Sequence, residues 1–232
     1  SCQHIHDMRP LIVMNGENID WFHTVIRMLM YLAGVAILAL GMSLQTASGL
    51  GVAALTCFAT TLSMLTGKTL GFWITATYVA YILAQLAILR REFQPRILLE
   101  LCFSTLIGGF TDFFMAVNPL HPTALPAQVA TMLLSLAVTA FGVSLVVNMG
   151  VVPNAPDGLV QVIAEKLKRR FGDVKVVFDC SHVAVSLILS LALMHNLGGF
   201  GVTTAISALF LGHVINVANK LFAQHFIRAA FG

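Results

Sequence analysis

Asp157 stands in the stretch Gly150-Val151-Val152-Pro153-Asn154-Ala155-Pro156-Asp157-Gly158, where two prolines, an asparagine and an acid interrupt an otherwise apolar chain. Backbone freed from helical hydrogen bonding survives in lipid only where protein packs around it or a wet cavity adjoins it. A carboxylate and a carboxamide at such a break can bind a polar solute or an ion. Asp157 also sits where it could cap a helix beginning at Gly158, beside the positive end of that helix's dipole. Asp179 and His182 follow one turn apart on one face, a spacing that suits either a structural hydrogen bond or a proton relay, and Lys175 lies one turn before Asp179 as its ion-pair partner. Asp112, His213 and Asn216 complete the candidate substrate-binding set, with Asn219 on the face of His213. A charge inside a span costs on the order of 2.5–3.5 kcal/mol on insertion scales, so each such group is a functional candidate by default. The plain alternative places Asp112 and His213 at span ends, reaching water.

No spacing supports catalysis. The chain has no His-Glu-x-x-His, no Gly-x-Ser-x-Gly and no phosphate-cradling loop, so the expectation is a protein that is not an enzyme and carries no cofactor. An intramembrane enzyme built from scattered Asp and His ranks last. Cys2, Cys57, Cys102 and Cys180 are isolated and read as small packing residues, with no metal site expected; His4 and His6 read as part of a solvated terminal segment.

With 58% hydrophobic and 10% charged residues, and a mean hydropathy of +0.88, the 232-residue chain is an integral membrane protein. Its formal charge of +3 does not point to nucleic acid, because the basic residues cluster in the short gaps between apolar runs. Lys166, Lys168, Arg169 and Arg170 read as an anchor at the anionic inner leaflet, and Arg96 with Glu100 as an interfacial ion pair.

The elements that must position these groups form an all-α polytopic transmembrane bundle of two repeated halves, each with a short broken helix. The division is a polar N-terminal arm (1–20), a first transmembrane repeat (21–117), a linker (118–126), a second repeat (127–222) and a C-terminal tail (223–232). Within the first repeat, spans are expected over 25–47, 70–89 and 97–117, with a short apolar segment over 52–66; Arg27 lies near the cytoplasmic end of the first span. In the second, spans are expected over 127–149, 174–194 and 202–222, with a short helix over 159–171. A displacement of 101 residues lays Gly41-Met42-Ser43-Leu44 on Gly142-Val143-Ser144-Leu145, Gly49 on Gly150, Gly71 on Gly172 and Asp112 on His213. The reading is a duplication, and short interrupted segments at corresponding places point to a transporter's binding site. If both short segments cross, there are eight spans, with Arg90, Arg91 and Arg96 on the far side. If both dip in and return, there are six, with Lys68 alone there. The second arrangement fits the positive-inside pattern better and makes the repeats inverted.

Gly150-Val151-Val152-Pro153, Asp157-Gly158-Leu159, Asp179, Gly199-Phe200-Gly201-Val202-Thr203-Thr204 and Ala208-Leu209-Phe210-Leu211-Gly212 resemble the YczE/YyaS/YitT group of bacterial membrane proteins. The likeness covers most of the chain and is specific in the second half. The group usually carries Gly-Pro where this chain has Gly212-His213, so His213 draws no support from it. The resemblance implies a multi-pass protein of the bacterial inner membrane with a transport-like role. The expected function is a small-solute secondary transporter or permease with its site at the broken helices and both termini cytoplasmic. Its partners are a small-molecule or ion substrate and membrane lipids, not nucleic acid, with homo-oligomers left open. The alternative is a non-transporting accessory or scaffold protein that binds lipid or a partner enzyme.

Overall fold

The computed structural model describes residues 14–15, 18–19, 21–90, 97–120, 122–152, 154–169, 171–195 and 200–231. A two-residue antiparallel pairing in the N-terminal arm joins β1 (Met14–Asn15) to β2 (Asn18–Ile19). The rest of the described secondary structure is helical, as the all-α reading requires. In order the helices are α1 (Trp21–Ser48), α2 (Ala54–Thr66), α3 (Leu70–Leu89), α4 (Ile97–Val117), α5 (Leu125–Met149), α6 (Ala155–Leu167), α7 (Phe171–Met194) and α8 (Val202–Phe231).

Among the described residues, α1, α3, α4, α5 and α7 are long and apolar enough to cross a membrane. Side chains such as Leu29, Leu83, Leu133, Val177 and Ile188 stand exposed on their outer faces, which suits contact with lipid. By contrast, α2 and α6 have 13 residues each. At 1.5 Å per residue they reach about 20 Å, against the ~30 Å of a hydrocarbon core. The second short helix, expected over 159–171, opens at Ala155 and closes at Leu167. In the structure Pro156 lies within the first turn, where its missing N–H and fixed φ are no handicap, so it opens the helix instead of breaking it. Helix α8 continues to Phe231, through the stretch read as a tail.

Among the described residues, helices α1 and α5 form the most extensive contact and run antiparallel. Moving up α1, Arg27 meets Met149 and Gly150, Gly34 meets Val146, Leu38 meets Gly142, and Gly41 meets Thr139. Ala39 and Ala140 have no exposed surface. A Cβ on Gly41 would fall 2.8 Å from the Thr139 backbone nitrogen, and one on Gly142 2.6 Å from that of Leu38. These helices therefore approach backbone to backbone, as small residues in membrane helices permit. Both end in a glycine with left-handed backbone, Gly49 (φ 70°) and Gly150 (φ 57°), which lets each chain turn sharply into the short helix that follows.

Packing between the halves is crosswise. Helix α2 lies against α7, and α6 against α3. Ala54 and Ala155, which open the short helices, stand 101 residues apart, as do Thr66 and Leu167, which close them. Contacts recur at the same displacement: Ser43 with Asn118 and Ser144 with Asn219; Cys57 with Ser186 and Gly158 with Gln85.

Candidate solute-binding site

Helix α6 begins inside the bundle, facing α3 and α7. Its N-cap residue, Asn154, makes no side-chain capping bond, and its Oδ1 is buried without a hydrogen-bond partner among the described residues. Asp157 is not the cap expected for a helix beginning at Gly158, because the helix already starts at Ala155. It sits in the first turn, where the helix dipole still favours an acid, and its carboxylate lies 3.0 Å from Lys175 Nζ. The same ammonium is 3.1 Å from Asp179, one turn further along α7. Lys175 thus bridges an acid on the broken helix to an acid on a spanning one. Its side chain is 23% exposed and that of Asp157 is 41% exposed, so the triad borders open space.

A second, drier network closes the other side of the α6 start. Gln85 Nε2, on α3, donates to Glu100 Oε2 (2.8 Å) and to the Ala155 carbonyl (3.2 Å). Gln85 and Glu100 are 1% and 2% exposed, so Glu100 is a buried partner of Gln85 and not the interfacial residue expected from its spacing to Arg96, which lies outside the described residues. Gly158 fits against both side chains. A Cβ there would fall 2.9 Å from Glu100 Oε1, so the glycine is what lets α6 close on the carboxyl group.

His182 does not bond Asp179. Its Nδ1 lies 2.8 Å from the Phe178 carbonyl and its Nε2 2.6 Å from Tyr81 Oη. A carbonyl can only accept, so Nδ1 holds the proton; in the neutral ring Nε2 is then the acceptor and the Tyr81 hydroxyl donates to it. Phe58, Tyr81 and Phe178 pack around the imidazole, and Tyr81 joins it from α3. Together these elements place charge, amide and phenol groups from α3, α4, α6 and α7 around one helix start. That arrangement offers hydrogen-bond donors, acceptors and charges of both signs within one small region. Among the described residues no nucleophile stands beside an activating base there.

Residues 25–220 match the Family of unknown function DUF6198. The chain belongs to this family. The match spans both broken helices and every residue of the site just described; the arm over 1–20 falls outside it. The DUF6198 chain is also similar to Uncharacterized protein YyaS of Bacillus subtilis (strain 168), with 26% identity over 197 residues, covering 85% of this chain and 94% of that protein. No solved structure matches it.

Of the residues singled out from the DUF6198 sequence, Asn154, Asp157, Asp179 and His182 come together at the start of α6 and along the adjoining turn of α7. Asp112 does not join them. Its carboxylate accepts from Thr69 Oγ1 (2.6 Å) and the Gly71 N–H (2.7 Å), tying down the start of α3. It is twelve residues along α4 from Glu100, about 18 Å away along the axis. His213 and Asn216 belong to α8, and their side chains lie outside the described residues. Asn219 meets Ser144 and Asn148 of α5. Arg27 is wholly buried, with Nε on the Met149 carbonyl (2.7 Å) and a terminal nitrogen on that of Gly150 (3.0 Å), so a cation sits against the negative end of α5. Gln85, Glu100 and Tyr81 were not anticipated as site residues. An acid and an amide well inside apolar runs were the available signal for the first two.

Proposed function

We propose that this protein is a small-solute secondary transporter or permease of the bacterial inner membrane, with its site at the start of α6. The observation that carries the reading is the charged and amide network around an uncapped, half-length helix inside a membrane bundle. Irregular backbone and ionisable groups at such depth mark substrate and ion pathways. The network draws on both halves of the chain, so a movement of one half against the other would open and close it.

The two halves are inverted copies in this reading. Helices α1 and α5, corresponding under the 101-residue displacement, run antiparallel, as an axis in the membrane plane requires. It follows that α2 and α6 dip in from opposite faces, six helices cross, both termini are cytoplasmic and Lys68 faces the opposite side. Labelling Lys68→Cys in sealed vesicles tests this: reaction from the cytoplasmic face would reject the inverted arrangement.

The functional test is thermal stability of the purified protein across a library of small metabolites, ions and lipids, beside Asp157→Asn. A ligand that binds only the folded state at 100 times its Kd stabilises by about 2.7 kcal/mol. The expected result is a solute-dependent rise in melting temperature, lost in Asp157→Asn, with uptake of the same solute abolished in that variant while membrane insertion is retained. Stabilisation by lipids alone, with Asp157→Asn unaffected, would replace transport by the scaffold reading.

A further inference from the structure

Between α2 and the end of α4 lies a cavity of about 450 Å³, bounded also by the last turn of α1 and the start of α3. Helix α4 packs on α1 and α3 whereas α2 lies against α7, so a gap is left between α2 and α4. Four hydroxyls stand on its wall, and each donates its proton to the chain. Thr46 Oγ1 donates to the Met42 carbonyl (3.2 Å), Thr60 Oγ1 to that of Thr56 (2.9 Å) and Ser63 Oγ to that of Lys68 (2.7 Å). Thr69 Oγ1 donates to Asp112, whose other oxygen accepts from the Gly71 N–H. With these protons directed into the protein, the wall offers threonine methyls and the side chains of Met64, Leu70, Met115 and Ala116. Water settles in a cavity only where two or more polar partners hold it. This cavity therefore suits an apolar occupant, and its volume falls in the range of ordinary ligand pockets.

Its surroundings say what the apolar occupant is attached to. Thr46 lies near the end of α1, Met115 and Ala116 lie in the last turn of α4, and Leu70 opens α3. The cavity thus sits where spanning helices reach one membrane surface. Phe72 is exposed there, and the Trp73 indole N–H donates to Thr66 Oγ1 (2.7 Å), as aromatic residues do at a membrane interface. Lys68 is exposed and immediately precedes Thr69 at the rim. Its ammonium lies 4.3 Å from the centroid of the Phe72 ring, and among the described residues no carboxylate pairs with it. The rim acid, Asp112, is engaged by Thr69 and Gly71 instead.

We infer that this cavity is a lipid site, in which an acyl chain of an anionic phospholipid lies between α2 and α4 with its phosphate at Lys68. The acyl chain supplies the apolar contacts that the two helices do not make with each other. The Lys68 ammonium selects a lipid of net negative charge over a zwitterionic one, whose own cation already balances its phosphate. A lipid seated there braces α2 on the side away from α7. The inference needs only the membrane-spanning bundle and is independent of the transport reading.

Phosphatidylglycerol carrying a diazirine in one acyl chain tests this, mixed into phosphatidylcholine vesicles that hold the full chain, with photolysis and mass spectrometry as the readout. Adducts are expected on Met64, Leu70, Met115 and Ala116 in clear excess over the exposed side chains Leu83, Leu133 and Ile188. Lys68→Gln should lower the yield at the cavity about fivefold, the effect of one cation near the surface, and bring it level with that from phosphatidylcholine carrying the same diazirine. Ala116→Phe, which fills the cavity, should remove the adducts on Met64 and Leu70 without lowering the melting temperature measured in the absence of added lipid. Should that variant fail to fold, Lys68→Gln, at an exposed position, decides alone. Adducts spread evenly over the lipid-facing side chains, or equal yields from the two lipids in the native chain, would overturn the inference. So would competition by free glycerol phosphate, which would assign Lys68 to a soluble phosphate. Asp157→Asn should leave the adducts unchanged, so the lipid site and the α6 site stand or fall separately.

Discussion

At the start of α2 the Ala53 N–H is met by Gln45 Oε1 (3.0 Å), the Leu50 carbonyl by the Thr203 N–H (2.9 Å), and the Val52 carbonyl by Thr204 Oγ1 (2.7 Å). Gly201 presses so closely on this turn that a Cβ would fall 2.2 Å from the Leu50 carbonyl oxygen. At the start of α6 there is no side-chain cap, and the neighbours are Lys175, two aspartates, a glutamate and a glutamine. One helix start is neutral, its backbone groups met by an amide, a hydroxyl and a backbone N–H. The other is charged and closed by side chains. The position 101 residues before Gly201 is Glu100, so a carboxyl group lies at one end where the other has no side chain. Two helix starts placed 101 residues apart thus differ in charge through a few residues at corresponding positions.

Alanine at each glycine puts the difference to the test. Gly201→Ala must displace backbone, and overpacking of that kind costs about 3 kcal/mol. The expected outcome is a large fall in melting temperature or no recoverable folded protein. Gly158→Ala meets the end of a flexible glutamate and should cost only about 1 kcal/mol. Equal effects would remove the contrast between a sealed and an adjustable end.

Lys175→Met leaves Asp157 and Asp179 facing each other without their shared cation. For a partly exposed triad the expected loss is about 2 kcal/mol, below the range for a fully buried pair. Adding Asp157→Asn and Asp179→Asn should recover most of it, and the melting temperatures of the single and triple variants measure the coupling. Without that recovery, Lys175 would matter for its packing and not for its charge. At the neutral end, Gln45→Leu strips the Ala53 N–H of its acceptor. It should cost about 1 kcal/mol and leave solute-dependent stabilisation unchanged. Loss of that stabilisation would mean the two ends act as one site.

The helical spans were legible because each is a long apolar run bounded by glycine, proline or charge, and the short helices because their runs fall below crossing length. Asp157, Asp179 and Lys175 could be found because ionisable groups in apolar runs are conspicuous and one pair is local. The partners of His182 and Gly158 could not be read from local spacing, since Tyr81 and Gln85 lie on another helix and only tertiary packing brings them close. A global cue existed. The same 101-residue displacement that aligned the glycines lays Tyr81 on His182, its actual partner, and Gln85 on Ser186. Glu100 was misread because an acid four residues from an arginine suggests a surface pair, whereas α4 turns it inward onto Gln85.

The α1–α5 crossing also bears on how the chain holds together. Each helix offers the other a groove floored by glycine and alanine, and this contact does not depend on the peptide connection between α4 and α5. A chain cut within 118–126 should therefore yield two fragments that find each other in the bilayer and copurify, with Gly41→Val in one fragment sufficient to keep them apart.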